Sequence, residues 1–261
     1  MEIIGYIASI LIGISLGLIG GGGSILAVPI LVYLFKINPE NATSYSLFIV
    51  GVTSLFGAVR HYKMGNLQLQ SALIFAIPSV LSLLVVRKLI LPLIPAHLFW
   101  LGSIDVTKNM FIMIVFAGLM IAASTAMIRT TPTVNTGQKS NLAQLGGIGF
   151  LVGLITGFLG AGGGFLIIPA LLFFANLSMK QAVGTSLLII FINSLIGFAG
   201  DVFNGITLNF QLLFLVTSIA LIGMLIGTVL SKKIDGTKLK PAFGWFVLLM
   251  GIYIVAKELF F

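Results

Sequence analysis

The chain has 261 residues, of which 59% are hydrophobic and only 8% charged, with a mean hydropathy of +1.19. A water-soluble domain carries about a quarter charged residues to cover its surface, so this composition excludes one and points to an all-α integral membrane protein. The net charge of +8 does not argue for nucleic acid, because the basic residues fall between apolar segments, where positive-inside bias and anionic headgroups account for them. With no cysteine, disulfides, thiolate metal sites and thiol nucleophiles are excluded; two histidines far apart, His61 and His97, give no metal cluster, and no cofactor is expected.

Met1-Glu2 places no basic stretch ahead of the first apolar run and no small-residue cleavage pattern follows it, so a cleaved signal peptide is not expected. In chain order the apolar segments long enough to span a bilayer, about 20 residues each, are 3–35, 41–59, 69–91 and 107–128, then 142–175, 181–199, 210–230 and 241–260. The segments 3–35 and 142–175 are interrupted by glycines. Counting each as one crossing predicts about eight transmembrane helices. Between residues 91 and 107, Pro92, Pro95, His97, Trp100 and Asp105 read as an interfacial connector. The polar stretch 129–141 reads as a linker between an N-terminal membrane repeat, 1–128, and a C-terminal one, 142–261.

Those halves are related in sequence. Gly17, Gly20, Gly22, Gly23 and Pro29 recur as Gly157, Gly160, Gly162, Gly163 and Pro169, an offset of 140 residues. Carried on without a gap to residue 70, that offset yields about fifteen identities, including Ala42/Ala182, Ser46/Ser186, Ser54/Ser194 and Gly57/Gly197. With four crossings per half, the loops at 36–40, 87–108, 176–180 and 231–240 share one side and hold most of the Lys and Arg residues. The positive-inside rule then puts that side in the cytoplasm and both termini outside. It also favours parallel repeats, although a 33-residue first segment, roughly 50 Å as helix, would overrun the bilayer and could double back to give inverted ones.

Runs of glycine at membrane depth cannot be ordinary helix interior, since each residue costs about 1 kcal/mol relative to alanine. Broken backbone is tolerated there only where protein or a wet cavity satisfies it. The helices that resume at Ile25 and Phe165 would aim uncapped amides, and the positive end of the dipole, into each break. This predicts an anion site at Gly21, Gly22, Gly23 and Ser24 and at Gly162, Gly163 and Gly164, completed by Ser46, Thr185 and Ser186 on the following spans. Close helix packing is the competing role for glycine and accounts for Gly13, Gly149 and Gly153. At the next helix start, Asn41 reads as a cap. Asn193 and Ser194 read equally as a polar track or as interhelical hydrogen-bond partners. His61 and Asp201, equivalent under the offset, are the candidates for proton coupling.

At these residues the sequence resembles the TauE/SafE family of membrane transporters, the sulfite and organosulfonate exporters. The resemblance covers nearly the whole chain. It rests on the two Gly-rich segments with Pro29 and Pro169, and on Ala42 to Leu47 and Ala182 to Leu187, each Ala-x-x-x-Ser-Leu. Gly184-Thr185-Ser186-Leu187 is similar to the family's Gly-Thr-Ser-Leu pattern, from which Ser44-Tyr45-Ser46-Leu47 departs. The resemblance implies a secondary transporter in the cell membrane that moves a small sulfur oxyanion, by export. Two rival readings stay open at this point: a cation or neutral-solute transporter using carbonyls at the breaks, and a non-transporting assembly subunit. A membrane enzyme is disfavoured for want of a metal cluster, an intramembrane carboxylate pair or a nucleophile beside a base. Oligomeric state is not legible.

Overall fold

The computed structural model describes residues 2–101, 104–129, 142–160, 162–234 and 236–260. Most of the linker, residues 130–141, therefore lies outside the described residues. The first apolar segment is two helices, α1 (Glu2–Ile19) and α2 (Gly22–Pro29), the latter extended by a π-helical turn, Ile30–Leu34. Next come α3 (Pro39–Lys63) and α4 (Leu69–Val85), then a second π turn, Val86–Ile90, and the short α5 (Leu91–Leu93). The second half holds α7 (Leu142–Leu159), α8 (Gly164–Phe174), α9 (Met179–Phe203), α10 (Phe210–Lys233) and α11 (Gly236–Phe260). Between the two sets lies α6 (Lys108–Arg129). Among the described residues five helices are long and apolar enough to cross a membrane, with α1, α2, α7 and α8 forming shorter apolar helices.

The expectation of a purely helical chain needs one correction. The connector before α6 is a two-stranded antiparallel hairpin, β1 (His97–Leu101) with β2 (Ile104–Thr107). Helix starts follow ordinary capping. The side chain of Asn38, not that of Asn41, accepts from the Glu40 amide at the start of α3, with Pro39 in the first turn. Ser178 and Gln181 form a capping box on α9, and Asn209 caps α10.

The counting of crossings is the larger correction. Chain reversal at the first break lays α2 back along α1: Gly23 packs against Ile12 and Leu16, and Phe35 against Gly5 and the Tyr6 ring (centroids 5.1 Å apart). A continuous helix would hold residues 12 and 23 about 16 Å apart. The interrupted segment is thus a hairpin, and the one-crossing count fails.

Parallel repeats fail with it. Helices α3 and α9 occupy the same place in the two halves, and they run antiparallel. Gly57 meets Leu187, Gly51 meets Leu195, Leu47 meets Gly197 and Ser44 meets Asp201. Each half also lends a helix to the other. Gly13 and Gly17 of α1 press on the α10 backbone at Ala220, Met224 and Thr228, while Gly149, Gly153 and Gly157 of α7 press on α4 at Phe75, Ser79 and Leu83. Both of these pairs run parallel and close through glycine, as small residues allow in lipid. Local backbone repeats too: Gly20/Gly160, Lys36/Asn176 and Gly65/Gly205 all take positive φ.

Burial fits an apolar solvent. On α4, Leu73, Ile77 and Leu81 lie outward at helical spacing, while Ala72, Phe75, Ala76, Ser79 and Leu83 are buried. The seam between α3 and α9 is the reverse, with buried Ser46, Thr53, Ser54, Ser186, Asn193 and Ser194. Polar groups inside and apolar groups outside are what a bilayer selects. The α3–α9 seam is accordingly the axis on which the rest is arranged.

Candidate functional site

Both broken helices end the same way. Gly20 N–H donates to Leu16 O (2.7 Å) and Gly160 N–H to Thr156 O (2.9 Å), and each glycine then turns the chain with φ of +77° and +64°. A side chain is strained at such dihedrals. Helix restarts at Gly22 and Gly164, with Gly21 and Gly163 as N-caps that offer no side-chain acceptor.

The two restarts face one another. A Cβ added to Gly164 would fall 2.5 Å from Gly21 Cα, and one added to Gly21 would fall 2.5 Å from the Gly164 carbonyl carbon. No residue larger than glycine fits at this junction. Two helix N-termini, each equivalent to roughly half a positive charge, are thereby brought together deep inside the protein.

Serines line the junction. On α9, Ser186, Ile190 and Ser194 share one face at four-residue spacing; Cβ positions at Gly20, Gly164 and Gly162 lie 2.8 Å, 2.7 Å and 2.7 Å from Ser186 Oγ, Ile190 Cδ1 and Ser194 Oγ. Ser46, Val50 and Ser54 repeat the pattern on α3, with Val50 also beside Gly162. The Oγ atoms of Ser46, Ser54 and Ser194 and Oδ1 of Asn193 are buried without a hydrogen-bond partner. Asn193 Nδ2 donates to Ser79 Oγ at 2.7 Å, tying α9 to α4. Buried hydroxyls left unpaired cost about 1–3 kcal/mol each, and a polar ligand is one way to satisfy them.

Of the residues expected at the site, Gly21, Gly162, Gly164 and Ser186 meet at the junction, and Ser46 belongs to the matching serine face. Gly23 and Gly163 face back onto their own first helices, at Ile12 and Leu16 and at Thr156, and Ser24 Oγ donates to Gly21 O. Thr185 does not point into the junction. Its Oγ1 accepts from the Gln68 amide (3.0 Å) at the start of α4. Tyr45, its equivalent, accepts through its hydroxyl from the Asn209 amide at the start of α10. The departure of Ser44-Tyr45-Ser46-Leu47 from the Gly-Thr-Ser-Leu pattern therefore leaves this helix-start contact in place. Two of the break carbonyls are taken: Gly21 O accepts from Ser24 (2.7 Å) and Gly163 O from the Leu166 and Ile167 amides, while Ser186 Oγ donates to Val183 O at 2.9 Å with Gly20 O farther off at 3.3 Å.

The ends of the α3–α9 seam carry the charges. Asp201 and His61, equivalent in sequence, lie at opposite ends. Asp201 pairs with Arg87, accepts from Ser44 Oγ at 2.5 Å, and all three residues are buried. Arg87 Nη2 also donates to Thr43 Oγ1 at 3.1 Å. His61 is buried against Gly184, and neither ring nitrogen has a partner. Sequence reasoning missed Arg87, which it placed among loop charges. The available signal was an Arg inside the apolar run 69–93 with Asp201 inside another, since charges within spans are kept only when paired.

Comparison with known proteins places the chain in a family. The model of the sulfite exporter TauE/SafE family matches residues 6–254. The chain belongs to that family. A "Probable membrane transporter protein" of Xylella fastidiosa (strain Temecula1 / ATCC 700964) is 30% identical over 265 residues, covering 95% of this chain and 92% of the relative. Two Bacillus subtilis (strain 168) relatives are similar. "Probable membrane transporter protein YdhB" is 30% identical, covering 69% of this chain and 70% of its own length; "Probable membrane transporter protein YunE" is 26% identical, covering 93% of each. No solved structure matches. This TauE/SafE member is a multi-pass membrane transporter, not an enzyme.

Proposed function

We propose that this transporter moves a small oxyanion, sulfite or an organosulfonate, by alternating access around the glycine junction. The carrying observation is the meeting of two uncapped helix N-termini, those of α2 and α8, at a serine-lined seam. The first amides of each restarted helix have no side-chain cap, and such donors at a helix N-terminus suit an anion. A cation would need the carbonyls, and those of Gly21 and Gly163 already accept hydrogen bonds. In this reading Gly21, Gly22, Gly23, Ser24, Gly162, Gly163 and Gly164 supply the cradle, with Ser46 and Ser186 on flanking faces; Thr185 holds the α4 start.

Residues 1–128 and 142–261 act as two inverted repeats, each a broken hairpin followed by long helices, rocking about the α3–α9 seam. Inversion redistributes the charges. Arg60, Lys63, Arg129, Lys180, Lys232, Lys233, Lys238 and Lys240 share the face where α3 ends, and Lys36, Arg87, Lys88, Lys108 and Lys257 share the face where α1 begins. Arg60 and Lys233 do line one common pocket. The first face is then cytoplasmic and both termini are outside.

Purified protein in proteoliposomes tests the reading directly. Radiolabelled sulfite or methanesulfonate should cross only in vesicles that hold the protein, and Gly22→Val or Gly163→Val should stop that flux without preventing insertion. No flux of either anion would refute the substrate class; unchanged flux in both variants would refute the site.

A further inference from the structure

At the α1-start end of the seam, burial and chemistry do not balance. Arg87 is 3% exposed, yet its Nε is buried with no partner, and its remaining nitrogens reach Asp201, Ser44 and Thr43. The second glycine break runs directly over it: a Cβ at Gly160 would lie 2.7 Å from Arg87 Nη2. That spacing leaves a guanidinium edge facing backbone that carries no side chain. Glu40, the other nearby carboxylate, is held by Lys108 at 2.8 Å. Among the described residues Asp201 is therefore the carboxylate that neutralises Arg87.

The opposite end of the seam has no such pair. Gly184 stands where Ser44 does, His61 where Asp201 does, and Thr228 lies close to the place of Arg87. An ion pair needed only for stability has no reason to sit at one of two equivalent ends of the seam, beside a glycine break. A buried pair is also a poor stabiliser, because desolvation offsets most of the attraction.

We infer that Arg87 is the charged anion-binding residue of this transporter, and that Asp201 is its resident counter-ion, displaced when an oxyanion binds. The inference rests on the anion reading above and adds a second, charged subsite to the amide cradle. A guanidinium presents a planar fork of donors that matches two oxygens of a sulfonate, sulfite or carboxylate as well as it matches Asp201. Ligand and Asp201 compete for the same fork. The Ser44 hydroxyl donates to whichever holds it, while Thr43 Oγ1, which donates to Glu40 O, accepts from Arg87 Nη2 and fixes the guanidinium. A competing internal carboxylate lowers apparent affinity by the fraction of protein in which the fork is free.

Equilibrium binding of radiolabelled sulfite to the purified full chain, with methanesulfonate as competitor, decides the matter. Asp201→Asn keeps an acceptor for Ser44 and removes the competing charge. It should bind sulfite about tenfold more tightly than the wild type, a direction that structural damage does not produce. The charge-balanced double variant Arg87→Gln/Asp201→Asn should lose binding while eluting and melting like the wild type. Equal or weaker binding by Asp201→Asn overturns the inference whether or not the double variant folds. Wild-type binding retained by the double variant also overturns it and leaves the glycine junction as the anion site. If wild type and Asp201→Asn bind neither anion, the inference and the substrate class fall together.

Discussion

The two ends of the α3–α9 seam are built from equivalent positions, yet they hold different chemistry. At one end Ser44, Asp201 and Arg87 form a buried, hydrogen-bonded ion pair. At the other, Gly184 approaches so closely that a Cβ would lie 2.9 Å from that of His61, and the imidazole nitrogens go unpartnered. A repeated backbone position does not repeat its side-chain chemistry. The first end is tied by charge and the second by close approach, so parting the helices would demand different things: a competing ion at one end, only separation at the other.

Removing one charge at the first end should have the largest effect. Arg87→Gln strands Asp201 in an apolar setting and should lower stability by about 3–5 kcal/mol, read as a fall in melting temperature by fluorescence-detected size exclusion. The double variant with Asp201→Asn should recover most of it. Failure to recover would mean that shape, not charge, ties this end of the seam. Next come the matched helix-start contacts, Thr185→Val and Tyr45→Phe. Each removes one acceptor from a backbone amide, and each should cost about 1 kcal/mol. Unequal losses in the same melting assay would break the equivalence of α3 and α9 at these positions.

His61→Leu should cost under about 1 kcal/mol or stabilise, because it deletes unpaired nitrogens rather than a bonded group. A loss comparable to that of Arg87→Gln would mean the two ends of the seam are tied alike. Transport measured across a pH series checks the separate role: if His61 carries the coupled proton, His61→Leu flattens the pH response. Smallest of all should be Glu40→Gln. Its pair with Lys108 is half open to solvent, which limits such contacts to about 0–1 kcal/mol, and melting should barely move.

Much of the candidate site was legible because its signals are local. Gly20, Gly160 and Gly163 announced positions where only glycine takes the required dihedral, and the 140-residue offset showed that the break occurs twice. Ser46 and Ser186 stood out for recurring within apolar spans. Thr185 misled, because a hydroxyl near a helix start serves a neighbouring backbone as readily as a ligand, and sequence does not say which neighbour is near. Arg87 was hidden by its place toward the end of a span, where a long side chain more often snorkels to headgroups.

By itself the sequence determined the solvent, the helical class and the two breaks, and it carried the 140-residue offset between the halves. These follow from residue types and from periodicities read along the chain. Only tertiary structure decided that each broken segment folds back, that the halves are interlocked through α1–α10 and α4–α7, and that Arg87 finds Asp201. Whether a glycine run bends by a few degrees or reverses the chain depends on what packs against it. One reversal changes the parity of crossings and so inverts everything that follows.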